Sequence, residues 1–583
     1  MAKNYDLLIR GGTIVDGSGG APFVADVAVS NGLIAEVGAI KGGAKEVVDA
    51  KGLIVTPGFV DLHTHYDGQS VWSKRLNPSS SHGVTTVVMG NCGVGFAPCR
   101  SEDHDVLVRV MEGVEDIPGI VMAEGLDWSW ETFPEFLDVI EARTRDIDVA
   151  AYLPHNPLRV YVMGERGVRR EEATAEDMAR MRAITSEAIK AGALGFASTR
   201  SKYHNTSEKK AVPSYDADMA EIEQIALGVV DAGGGLLQFV PDAPEQGYRD
   251  VLAPMIEVSR RTGLPLTYSL ATGYGPGSPA AFEALEMGRE ASRNGPQVTA
   301  QVFPRPIGLV FGLEASANPF TLCPSYIKIA DLPLAERVTL MRDPQMRRSL
   351  IAEVPVKGHM YTMMARNWAW MFPFSRLANY EPSAAESVAA LAKAHGVSPE
   401  EEVYDLLLKD EGRAKLLVAL GNYPDYRLDD VKKMFTHPNA VIGIGDGGAH
   451  YGLICDSSYP TFVLAHWVRD RKGERLALEQ AVKALTSIPA GVVGLRDRGL
   501  LRTGYKADIN IIDLAGLRLY APHVVNDLPA GRPRLDQSAD GYVATFVAGQ
   551  CIARNGTPTG VFPGRLVRGR QPVPGESAVA LAS

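Results

Sequence analysis

The spacing of apolar and polar residues divides the chain into three stretches. The first reads as short strands and turns at residues 5–10, 13–17, 26–29 and 34–37, with Asn31-Gly32 between the last two. An Asn-Gly pair between alternating apolar runs is a strong hairpin signal. The pattern predicts a small antiparallel β-unit that ends near Leu53. From Pro57 the rhythm changes. Apolar runs of strand length at 84–89, 149–153, 194–197, 235–239, 264–269, 297–302 and 440–445 alternate with helical stretches such as 174–191. Such alternation predicts parallel strands joined by crossover helices. Seven or eight units of this kind predict an α/β chain built on a (β/α)8, TIM-like barrel over 57–489. An open three-layer sheet is the other arrangement, but no Gly-rich dinucleotide loop follows the first strand.

Residues 304–435 are longer than one strand–helix unit needs and read as an insertion beside the barrel mouth. The insertion carries an aromatic run from Arg366 to Phe374, which either lines a pocket for an apolar substrate group or packs the insertion onto the barrel. Residues 504–513 and 541–549 return to strand patterns. The two chain ends, 1–56 and 490–583, are therefore expected to join in one small β-sandwich domain.

Composition adds limits. The 583 residues are 45% hydrophobic and 22% charged, which is ordinary for a globular enzyme. A net charge of −10 argues against nucleic acid or an anionic membrane as the main partner. The five cysteines are scattered and odd in number, so a disulfide framework is not expected. No signal-peptide pattern and no uninterrupted apolar run of about 18 residues occurs, so a reducing cytoplasm fits. The expected partner is a small-molecule substrate; a homo-oligomer stays open.

Chemistry gathers at three expected strand ends. The segment Phe59-Val60-Asp61-Leu62-His63-Thr64-His65 ends in two histidines spaced i, i+2. Side chains two apart on a strand share a face, and two imidazoles on one face make half of a metal site. Asn91-Cys92-Gly93 follows the 84–89 run, and Asp446 lies in Gly445-Asp446-Gly447-Gly448-Ala449-His450. In a parallel barrel the strand C-termini meet on one face, which gathers all three segments. Cys92 reads as a ligand or as a packed thiol.

With these motifs the chain resembles the amidohydrolase superfamily, and within it the N-acyl-D-amino-acid deacylase (D-aminoacylase) branch. The resemblance covers nearly the whole chain. It rests on Gly-Gly-Thr-Ile-Val-Asp-Gly near the start, Pro57-Gly58-Phe59-Val60-Asp61-Leu62-His63-Thr64-His65, His82-Gly83-Val84-Thr85-Thr86-Val87, Gly90-Asn91-Cys92-Gly93, the late Gly-Asp-Gly and Gly504-Tyr505-Lys506-Ala507-Asp508. The Gly-Asn-Cys-Gly element points to the branch in which cysteine serves as a metal ligand. The resemblance implies a metal site of His63, His65, Cys92 and Asp446.

The chain also departs from that branch. Similar deacylases place two further histidines on the middle strands for a second metal, and a lysine follows the second one. Here Gln238, and Tyr268 or Ser269, stand near those places, and Ser269-Leu270-Ala271-Thr272 holds no lysine. This favours one divalent ion, Zn2+, over two. His155, His204 and His450 also follow strands, and with Tyr268 they are the candidates for substrate binding. In the expected reaction the ion lowers the pKa of a water to about 7. Asp446 then serves as general base and acid. The bond is expected to be the C–N bond of an amide or N-acyl compound. A lactone or other ester, a C–C bond, and a non-catalytic barrel are the alternatives.

Overall fold

The computed structural model describes residues 3–242, 247–272, 279–356 and 364–576. It is an α/β chain with mixed sheets. One parallel sheet has six strands in the order Ala440–Ile442, Val298–Val302, Leu266–Leu270, Leu236–Val240, Gly195–Thr199 and Leu153–Pro154. A second has three parallel strands, Phe59–Asp61, Val84–Met89 and Asp148–Ala151. The chain runs from Asp148–Ala151 through Tyr152 directly into Leu153–Pro154. At the opposite edges, the backbone N–H of Asp446 donates to the His63 carbonyl at 3.2 Å, and that of His65 to Gly447 at 2.7 Å.

These strands form because their residues are apolar or β-branched and are covered on both faces. All of Val84–Met89 and all of Gly195–Thr199 are buried, as parallel strands under crossover helices must be. The helix Ala175–Ala191 packs against the helix Met219–Asp231 and is capped by Thr174, where Thr174 and Asp177 form a reciprocal capping box. Such a cap is worth about 1 kcal/mol.

Both chain ends enter one nine-stranded sheet. Its order runs from the C-terminal strands through Ile509–Ile512 and Ile54–Pro57 to Lys3–Ile14, Phe23–Ser30 and Leu33–Gly38. The turn at Asn31-Gly32 has φ of 54° and 76°, as a tight hairpin of this kind requires. The motif 504–508 fastens this sheet to the parallel strands. Lys506 bridges Asp148 at 2.7 Å and Asp508 at 2.9 Å, and Arg498 reaches Asp148 at 2.6 Å. Asp148 begins its strand, so the buried charge cluster lies at the strand N-termini, the end where such residues serve stability.

The inserted stretch forms a three-stranded antiparallel sheet of Ile307–Gly312, Met371–Pro373 and Lys415–Gly421 over its own apolar cluster. Its aromatic run is used for packing: Trp370 stacks on Tyr426 at 5.2 Å, and its indole N–H donates to the Tyr423 carbonyl. No described helix is long and apolar enough to cross a membrane.

Candidate metal centre and its cavity

Past the C-terminal ends of the parallel strands lies a cavity of about 210 Å3. Four groups meet on its floor. The ligand-capable atoms of His63, His65 and Cys92 lie within 4.8 Å of one another, and all three residues are buried. Asp446 Oδ1 stands 3.4 Å from His63 Nε2 and 3.5 Å from His65 Nε2. The Cys92 Sγ is 3.3 Å from His63 Nε2 and 3.8 Å from His65 Nε2.

Local sequence explains how the three loops reach this point. Cys92, Asp446 and His450 have φ of 58°, 47° and 48°, in the left-handed region. Non-glycine residues there cost on the order of 1–3 kcal/mol each and cluster at functional sites. Gly445 allows the Asp446 turn to lie against Asp61, because a Cβ there would meet Asp61 Oδ2 at 2.0 Å. Gly90, at φ 81°, lets the Cys92 turn press on the Tyr152 carbonyl, which a Cβ would meet at 2.5 Å.

Each imidazole has a polar side chain behind it. His63 Nδ1 is 2.6 Å from Gln301 Oε1, which fixes the proton on Nδ1 and leaves the Nε2 lone pair facing Cys92 and Asp446. His65 Nδ1 faces Glu115 Oε1 at 3.4 Å. The Cys92 backbone N–H donates to Gln238 Oε1 at 3.1 Å. Asp61 accepts the His63 N–H at 3.1 Å, and Asp67 accepts the Gly90 N–H at 3.1 Å.

The electrostatics call for a cation. Burial pushes the carboxyl of Asp61 up to about 8 and that of Asp67 up to about 7. Burial, followed by the charges of Asp446 and Asp67, drives Glu115 well above the usual carboxylate range. The Cys92 thiol is raised by burial and then by Glu115, Asp446 and Asp67. Burial lowers His63 to about 4 and His65 to about 3, so both imidazoles are neutral at pH 7. No lysine or arginine is among the described residues lining the cavity. A cluster of carboxylates, a thiol and neutral imidazoles without a basic side chain suits a divalent transition metal, whose charge would oppose the upward shifts of the acids and the thiol and reinforce the neutral form of the imidazoles.

The remaining sequence candidates divide. His204 and His450 line the cavity, and burial lowers them to about 3 and about 4. His204 Nδ1 is held by Thr199 Oγ1 at 2.9 Å. His155 and Tyr268 do not line the cavity. His155 is fully buried with both ring nitrogens engaged, Nδ1 with Ser198 Oγ and Nε2 with Glu221 Oε1, each at 2.8 Å. Tyr268 turns outward, and its hydroxyl donates to the Ala284 carbonyl at 2.8 Å. The register explains this: Gln238 pairs with Thr267, so Thr267 and Ser269 face inward and Tyr268 does not. Ser269 lines the cavity instead, whereas Gln238 is used by the Cys92 backbone. The aromatic run of the insertion contributes no lining residue; from this region Ile307 does.

Glu115 and Gln301 were missed in the sequence, and both carry a signal. Glu115 falls in phase with Leu107, Val110, Met111 and Val114 on the buried face of helix His104–Glu115. An acid on an apolar stripe is unusual. Gln301 is a buried amide in the strand Val298–Val302.

The Amidohydrolase family profile matches residues 46–553. The chain is similar to the D-aminoacylase of Alcaligenes xylosoxydans xylosoxydans, with 26% identity over 570 residues, 97% of this chain and 98% of the relative. It is 27% identical over 519 residues to the N-acyl-D-aspartate deacylase of the same organism, 88% of this chain and 86% of the relative. Its fold matches the N-acyl-D-glutamate deacylase of Bordetella bronchiseptica, solved with zinc and a phosphonate mimic of the tetrahedral intermediate. That match has a TM-score of 0.64 at 24% identity and covers 97% of this chain and 100% of the other. A D-aminoacylase structure described by its binuclear metal centre, with one-metal activation and second-metal attenuation, also gives 0.64, at 23% identity over 97% of this chain and 100% of the other.

Proposed function

Because the chain belongs to the amidohydrolase family, in its D-aminoacylase-like branch, and is a metal-dependent amidohydrolase, we propose that it hydrolyses the C–N bond of an N-acyl, amino-acid-like amide with a single Zn2+. The observation that carries this reading is the donor set of His63, His65 and Cys92 within 4.8 Å, with Asp446 facing both imidazoles. These four residues would hold the ion. When bound, it supplies the Lewis acidity that activates water at neutral pH.

The chain's own residues do the rest. Asp446 lies on the cavity side of the two imidazoles, where its carboxylate takes the proton from water and passes it to the leaving nitrogen. His204, neutral at pH 7 and met at Nδ1 by the Thr199 hydroxyl, is the donor to the developing oxyanion, and His450 lines the cavity for substrate contact. Val240, Pro241, Tyr248, Leu270, Ala271 and Ile307 form an apolar wall suited to an acyl chain. One ion is favoured over two because the middle strands turn Gln238, Thr267 and Ser269 inward, and none of these is an imidazole or carboxylate. The two parallel sheets would close as one eight-stranded barrel over 57–489, with 304–435 inserted, and 1–56 and 490–583 would make the small β-domain. The edge hydrogen bonds of Asp446 and His65 support that closure.

Metal analysis and one substitution test the reading together. Protein purified without chelator should carry about one zinc per chain. Asp446→Asn should keep its circular dichroism and lose about 10^2- to 10^4-fold in kcat/KM on an N-acyl amino acid panel of both hands. Near-zero metal, or an active Asp446→Asn enzyme, overturns it.

A further inference from the structure

His63 and His65 are supported differently. The neutral amide of Gln301 backs His63 at 2.6 Å. Behind His65 stands Glu115, which is 1% exposed, and its two oxygens face two different histidines. Oε1 is 3.4 Å from His65 Nδ1, and Oε2 is 3.4 Å from His450 Nε2. Neither His65 Nδ1 nor Glu115 Oε1 has any hydrogen-bond partner among the described residues. The backbone adds a third link, because the His450 N–H donates to the Glu115 carbonyl. The next residue, Asp116, accepts a hydrogen bond from Ser316 Oγ at 3.1 Å, which ties the helix end to the inserted stretch.

We propose that Glu115 is a positioning residue shared by the metal site and the cavity wall. It directs His65 Nε2 toward the ion and holds the His450 ring over the cavity. This inference rests on the zinc reading above and goes beyond it, because Glu115 is not itself a ligand. The physical basis is that a metal-bound imidazole needs an acceptor for its other N–H to fix tautomer and ring orientation. Removing that acceptor lowers metal affinity about 10- to 100-fold. Gln301 performs this service for His63, and Glu115 is the carboxylate that stands at His65 Nδ1, which has no hydrogen-bond partner among the described residues. A shift of roughly 0.5 Å brings each 3.4 Å contact to hydrogen-bond length. One carboxylate spans both rings because Glu115 ends its helix and the His450 turn rests on that end.

The test uses the full chain, stripped of metal and titrated with zinc against a competing chelator, with the thermal midpoint of the metal-free form measured alongside. Glu115→Gln should raise the zinc dissociation constant about 10-fold and Glu115→Ala up to about 100-fold. The metal-free midpoint of Glu115→Gln should equal or exceed that of the wild type, since Glu115 has no lysine or arginine partner among the described residues to lose. Zinc affinity within about twofold of wild type in both variants overturns the proposal. So does a weaker affinity accompanied by a lower metal-free midpoint in Glu115→Gln, which assigns Glu115 to the scaffold. Wild-type protein that takes up no zinc overturns the metal reading itself, and this inference with it.

Discussion

Two buried glutamates sit near the turn that carries Cys92, and they differ in how their charge is met. Glu221 is closed on every side. Its Oε1 is 2.8 Å from His155 Nε2, Arg159 donates to its Oε2, and His155 Nδ1 is occupied by Ser198 Oγ. Burial pushes the Glu221 carboxyl up, but the hydrogen bond from His155 and the charges of His155 and Arg159 together hold it below the usual range. Glu115 faces two histidines and no lysine or arginine among the described residues, and it is pushed well above that range. One assembly is electrically complete within the fold, and the other lacks a positive charge. Completeness marks scaffold, and an unmet charge beside a cavity marks a site. Ser198, His155 and Glu221 have the connectivity of a hydrolytic triad. With Ser198 1% and His155 0% exposed, however, no substrate reaches them.

The sharpest way to break the contrast is to open the closed assembly. Arg159→Met leaves Glu221 buried without its cation, and removing one member of a buried pair costs about 3–5 kcal/mol. The urea midpoint should fall accordingly while the folded enzyme keeps its metal content. An unchanged midpoint means that Glu221 is not held by Arg159 and the two assemblies are alike.

A smaller effect separates the carboxylate from its shape. Glu221→Gln should cost on the order of 1–3 kcal/mol at neutral pH. A carboxyl held below its ordinary value of 4.5 contributes stability that is fully present above that value and is lost as pH falls through the folded value. The gap in thermal midpoint between wild type and Glu221→Gln should therefore be constant from about pH 7 to about pH 5 and close below about pH 4.5. A gap that widens on acidification contradicts the closed assembly.

The same contrast explains what the sequence could reveal. His63, His65, Cys92 and Asp446 were legible because each ends or follows an apolar run, and parallel strands bring such ends together. The helical stretch at 174–191 was legible in the sequence; the helix begins one residue later, at Ala175. His155 also follows a strand, but it opens the helix His155–Met163 and its ring turns into that helix's packing. Strand-end position alone does not say which way a ring points. Glu115 was hidden for the opposite reason: it lies on a helix far from any motif and reaches the site through tertiary packing. The aromatic run left two readings open because composition cannot separate a pocket wall from a packing face. Trp370 and Phe372 pack against Tyr426 and Tyr423.

Tyr268 isolates the parity of one strand, and it carries the smallest effect. A hydroxyl at the cavity mouth would bind substrate, but the pairing of Gln238 with Thr267 puts position 268 on the outer face. There the hydroxyl donates to Ala284 in helix Pro279–Arg293. That carbonyl lies inside a helix and has its helical N–H partner as well, so losing the tyrosine donor leaves it satisfied. Tyr268→Phe should therefore cost only about 0.5–1.5 kcal/mol in stability. Its kcat/KM should stay within about twofold of wild type, because nothing that touches the cavity has changed. A loss of activity beyond about tenfold, roughly 1.4 kcal/mol in transition-state binding, contradicts the parity. It would return Tyr268 to the cavity and with it a donor where this chain has Ser269.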